Sequence, residues 1–149
     1  MRTIAETVDA SEILAQIERI EKAIENDPAL AIGTAKELVE SCCKTILENR
    51  HIKYEHDDDL PKLVRKVQEA LKLLSDDVPE QAKGADTIKR MVSNLASLLS
   101  GLAEMRNLYG SGHKRHGKHR GLSSRHAKLA SGAAGTLAVF LFETHQERP

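Results

Sequence analysis

A chain of 149 residues, 40% of them hydrophobic, fits one ordinary domain, long enough to bury a core without disulfide or metal staples. No apolar run approaches the roughly 20 residues that span a bilayer, and nothing at the N-terminus resembles a basic flank followed by an apolar signal core. A soluble protein of the cytoplasm, with no membrane partner, is expected. The 22 basic and 22 acidic residues balance to a net charge of zero, but that balance averages two opposite regions. From Met105 to Phe142 there is no Asp or Glu, while seven Lys or Arg and four His are present, leaving 15 basic and 22 acidic residues elsewhere. A body of net charge minus seven therefore carries a 38-residue segment of plus seven, as a polyanion site or a docking point for an oppositely charged partner requires.

Five helices are predicted in chain order. Ile13, Leu14, Ile17, Ile20 and Ile24 form an apolar stripe at helical spacing between Asp9 and Asn26. Asp27-Pro28 supplies an N-cap and a first-turn proline for a second helix, which carries Ala31, Ala35, Leu38, Val39, Cys42, Ile46 and Leu47 to about Arg50. The polar run from His51 to Asp59 makes a loop. Pro61 then opens a third helix with Leu63, Val64, Val67, Leu71 and Leu74, its N-terminus favoured by Asp57, Asp58 and Asp59. A break at Ser75 to Val78 precedes Pro79, and a long fourth helix runs to about Leu108 through Ile88, Met91, Val92, Leu95, Leu98, Leu99, Leu102 and Met105.

After a basic loop at about 109–122, Ser123 or Ser124 caps a fifth helix reaching about Glu143, with Ala127, Ala130, Ala133, Ala134, Leu137 and Leu141 on one face. Gly132 and Gly135 lower its helix propensity by roughly 1 kcal/mol each against Ala, and such small residues admit a close neighbour, so this helix is expected to lie centrally. Val139, Phe140 and Phe142 suit burial or a subunit interface. No alternating strand pattern of useful length and no repeat occurs. The fold class is all-α, a single domain over residues 1–149 built as a bundle of about five helices. With no Trp and only four Phe or Tyr, its core must be aliphatic and Ala-rich. Cys42 and Cys43 are adjacent within a helix, where neither a structural disulfide nor a metal-ligand spacing is available.

The chemistry concentrates in Arg106-Asn107-Leu108-Tyr109-Gly110-Ser111-Gly112-His113. Arg106 lies four residues after Leu102 and seven after Leu99, so it continues the apolar stripe rather than facing bulk water. One explanation is a buried ion pair with an acid across the bundle. The other is a cleft or subunit interface where its planar fork meets phosphate, with Asn107 donating to the same oxygens. Gly110 and Gly112 allow the loop to turn tightly, and His113 supplies acid-base function near neutral pH. His113, His116 and His119 also form a series that invites zinc. Lys114, Arg115, Lys118 and Arg120 are interleaved with them and no carboxylate or Cys is close, so phosphate or an RNA backbone suits the loop better, and no cofactor or metal is expected. Arg125 and His126 open the fifth helix, where they either border the site and grip RNA or simply pack against the fourth helix. Tyr109 is either a core-edge residue or a base-stacking or modification target.

The Arg106-Asn107 pair followed by His113 resembles the Arg-polar-x(4 to 6)-His signature of the HEPN superfamily, the all-helical domains of many prokaryotic toxins and RNA-cleaving defence proteins. Three segments are similar to the C-terminal domain of abortive-infection proteins within that superfamily: Ala31 to Leu47 (AIGTAKELVESCCKTIL), the RNLYGSGH loop, and Ser123 to His145 (SSRHAKLASGAAGTLAVFLFETH). The resemblance implies a helical domain that dimerises and brings two copies of the motif together. It further implies metal-independent RNA cleavage by attack of a ribose 2′-hydroxyl on the adjacent phosphate, leaving a cyclic phosphate and a 5′-hydroxyl. In that reaction His113 is the general base or acid, Arg106 stabilises charge on phosphate, and Asn107 positions the motif. RNA, a second copy of the chain, and an antitoxin or larger defence-system partner are the partners implied. A noncatalytic RNA- or nucleotide-binding module and a structural dimerisation domain are the alternative readings.

Overall fold

The computed structural model describes residues 10–71, 79–109 and 122–147, with the backbone but not the side chains of 79–83, 85 and 107–109. The described residues form five helices, α1 (Ala10–Ala23), α2 (Pro28–Asn49), α3 (Leu60–Ala70), α4 (Pro79–Tyr109) and α5 (Ser124–Glu147), and no strand. The fold is an all-α bundle.

Local chemistry sets the helix starts. Asp27 accepts a hydrogen bond from the Leu30 backbone N–H at 3.1 Å, with Pro28 behind it in the first turn, where its missing N–H is harmless. Asp59 does the same for α3 through Lys62 N–H at 3.0 Å. α3 ends at Ala70 with Leu71 as its cap, and Leu74 lies outside the described residues. α5 continues one turn past the expected end at Glu143, because Phe142 is buried and Thr144 and His145 find partners on neighbouring backbone and side chains.

Contacts along the helices give their directions. α2 and α5 run parallel, since Cys42 meets the Ala138 carbonyl and Arg50 meets His145. α1 runs antiparallel to α5, with Ile17 beside Gly135 and Glu25 beside Lys128. α5 packs against α1, α2 and α4, and α2 packs against all four other helices. The small residues of α5 thus place it centrally as expected, but it shares the centre with α2. The close approach at Gly135 comes from the Ile17 side chain, 3.4 Å from where a Cβ would stand, whereas a Cβ at Gly132 would meet nothing within 4 Å.

Ile32, Ile46, Leu47, Leu63, Leu99, Leu137 and Leu141 are fully enclosed, each contributing about 1.5–3 kcal/mol of burial free energy. The stripe readings need three corrections. Leu14 is exposed, because it lies about 100° round the helix from the line of Ile13, Ile17, Ile20 and Ile24. Met91 is turned aside from Val92 and Leu99 in the same way and is also exposed. Ile88 has the right phase, yet it stays partly open where α4 and Phe140 leave an apolar groove lined by Ile88, Met91, Val92, Leu95, Thr136, Leu137 and Phe140.

Arg50 ties three helix C-termini together. Its Nε donates to His145 Nδ1 at 2.9 Å, one terminal nitrogen donates to the His145 carbonyl at 3.2 Å, and the other reaches the Ala70 carbonyl at 3.5 Å. A cation among outward-facing helix carbonyls is favourable, since those ends carry partial negative charge.

Candidate functional site

The opposite end of the bundle gathers the start of α2, the end of α4 and the start of α5. α4 delivers Arg106 to this end, three residues before its last described turn closes at Tyr109. The side chain is half-buried and lies across α2 on Gly33, so that a Cβ at Gly33 would overlap Nη1 and stand 3.1 Å from Cζ. Asp27, Leu30, Gly33, Thr34, Glu37 and Arg106 line a shared depression of about 310 Å³.

Among the described residues the Arg106 side chain forms neither a hydrogen bond nor an ion pair, although two carboxylates line the same depression. The buried ion pair weighed from sequence is not formed. Asp27 has one carboxylate oxygen engaged in capping α2, and Glu37 is exposed. Arg50 is anchored to carbonyls and to an imidazole, whereas the donors of Arg106 meet no acceptor among the described residues.

Asn107 continues the α4 backbone beside Arg106 and Tyr109 ends it, and the side chains of both lie outside the described residues. His113, together with Lys114, Arg115, His116, Lys118, His119 and Arg120, lies outside the described residues, and so does the histidine series considered for zinc. Among the described residues no group of three His, Cys, Asp or Glu is placed to hold a metal ion.

The two remaining candidates, Arg125 and His126, sit in the first turn of α5. Arg125 is exposed in the first turn of α5, a turn with no acidic residue. Like charge at a helix N-terminus is unfavourable in isolation and favourable to an anion. His126 is engaged locally. Its Nδ1 accepts the Ser123 backbone N–H at 3.1 Å and lies 3.2 Å from Ser123 Oγ. That is the role a Glu or Gln plays in a capping box, and it assigns the neutral imidazole proton to Nε2. Ser123, rather than Ser124, therefore caps α5, with the His126 and Ala127 N–H groups both donating to its carbonyl. Sequence reasoning missed the Arg106–Gly33 contact. A glycine in an otherwise good helix was the available signal.

The described residues thus form an all-helical bundle whose longest helix, α4, carries Arg106 to one end. A family model described as a HEPN-like domain, Abi_C, matches residues 11–145, and the chain belongs to this family. Its type is that of defence and toxin HEPN proteins. No curated protein and no solved structure matches the chain.

Proposed function

We propose that the protein is a metal-independent endoribonuclease acting in phage defence or as a toxin. The observation that carries this reading is the half-buried Arg106 guanidinium, held on α2 with no protein partner among the described residues, where the acid-free basic segment leaves α4. An arginine so placed retains the donors needed to grip a phosphate through two parallel hydrogen bonds. The positive end of α5, with Arg125 and no acidic residue in its first turn, adds attraction for the RNA backbone, as do Lys114, Arg115, Lys118 and Arg120 in the sequence before it.

The 2′-hydroxyl attacks the neighbouring phosphorus, forming the O2′–P bond while the P–O5′ bond breaks. His113 removes the hydroxyl proton, or in its other protonation state gives a proton to the departing 5′ oxygen. A homodimer supplies both roles from two copies of the motif. Arg106 neutralises charge growing on the nonbridging oxygens, and Asn107 donates to the same group.

The test is cleavage of single-stranded RNA in excess EDTA. Arg106→Ala and His113→Ala are each expected to lower the rate at least about 100-fold while leaving the helical content unchanged. RNA binding without cleavage under all conditions assigns the protein to the noncatalytic binding class instead.

A further inference from the structure

We infer that Gly33 is a positioning residue for Arg106, kept free of a side chain so that the guanidinium can lie directly on the α2 backbone; this rests on the ribonuclease reading for its catalytic consequence. Gly33 stands within α2, where glycine is disfavoured against alanine, and its backbone is ordinary helix, so no unusual dihedral calls for it. What distinguishes the position is steric. A Cβ there would overlap Nη1 of Arg106, with Cζ at 3.1 Å and Cδ at 3.8 Å. At Gly84, Gly101 and Gly132 a Cβ would meet nothing within 4 Å, and at Gly135 it would meet Ile17 in near-ordinary contact.

Gly33 is itself buried although Leu30, Thr34 and Glu37 around it are exposed. The residues flanking it on that face therefore do not hide it, whereas Arg106 lies over it. Resting on α2 narrows the conformations open to a long flexible side chain before any ligand arrives, which is the preorganisation that an electrostatic catalyst needs. The obstacle met by a new Cβ is the far end of that flexible chain, so alanine leaves the helix intact and displaces the guanidinium.

The experiment combines two readouts on Gly33→Ala, with and without Arg106→Ala. Modification of Arg106 by phenylglyoxal, followed by mass spectrometry, is expected to run several-fold faster in Gly33→Ala than in the parent, because the guanidinium is lifted off its seat. RNA cleavage is expected to fall by up to about 100-fold, the loss a 1 Å misplacement of a catalytic group produces, mainly in kcat. In the Arg106→Ala background the obstacle is gone, so Gly33→Ala should raise Tm and leave residual cleavage unchanged. An unchanged modification rate at Arg106, or a lower Tm on adding Gly33→Ala to Arg106→Ala, overturns the seat itself. Faster modification with full cleavage overturns the positioning role. A parent protein that never cleaves RNA defeats the ribonuclease reading, while the modification rate still decides the seat.

Discussion

Replacing Arg50 with Met keeps much of the aliphatic stem and removes every donor, and the expected loss is calculable from the geometry. The bonds at 2.9 and 3.2 Å lie within the normal range, while the one at 3.5 Å to Ala70 is at the edge of usefulness and contributes little. Bonds from a charged donor are worth about 1.5–3 kcal/mol when buried, and half-burial of Arg50 lowers this to roughly 1 kcal/mol each. Relief of two negative helix ends adds about 0.5 kcal/mol. The sum is about 2–3 kcal/mol, a sizeable part of the roughly 5–15 kcal/mol that holds a domain folded. For a chain of this length that lowers Tm by roughly 6–10 °C. Urea denaturation and calorimetry of Arg50→Met and Arg50→Lys measure it, with lysine restoring only a minor share because a point charge cannot fork to His145 at two atoms. A loss below about 0.5 kcal/mol for Arg50→Met refutes the clamp.

Three further outcomes are expected. Arg106→Ala should change unfolding free energy by less than about 1 kcal/mol, since the side chain has no partner among the described residues, while lowering RNA cleavage at least about 100-fold; a large loss of stability would make Arg106 a structural residue. Burial pushes the Cys42 thiol up to about 12 and raises Cys43 as well, so neither thiol should react with a disulfide reagent at pH 8 until urea unfolds the protein, and rapid labelling of the native state contradicts the enclosed α2–α5 contact. Asp58 accepts hydrogen bonds from Lys66 at 2.5 Å and from the Glu55 backbone at 2.9 Å, which hold its carboxyl below the ordinary 3.8. Its depressed value makes the stabilisation complete above pH 3.8 and lost as pH falls through the lowered value, so the stability gap between the parent and Asp58→Asn should shrink on acidification and stay level from about pH 5 upward.

Several elements were legible in the sequence because their causes are local. The caps at Asp27 and Asp59, the prolines behind them and the apolar spacing of each helix depend on neighbours three or four residues away, so all five helices and the all-α class could be read directly. Periodicity identifies a face without setting its width, so Leu14 and Met91 read as core and stand exposed, while Ile88, correctly phased, is left open by the groove beside Phe140. The Arg106-Asn107 pair and its acid-free surroundings were visible for the same local reason, and the family match from residue 11 to 145 agrees with the resemblance they carry.

Partnerships across the bundle were not legible. Nothing near Arg50 in the sequence announces His145, 95 positions further on. Sequence alone determined which segments are helical and that a positive segment follows an inward-phased arginine, because helix propensity, capping and charge are properties of short stretches. Tertiary structure decided what that arginine touches: Gly33 is 73 positions away, and only the crossing of α4 over α2 makes its missing side chain the surface on which the guanidinium lies.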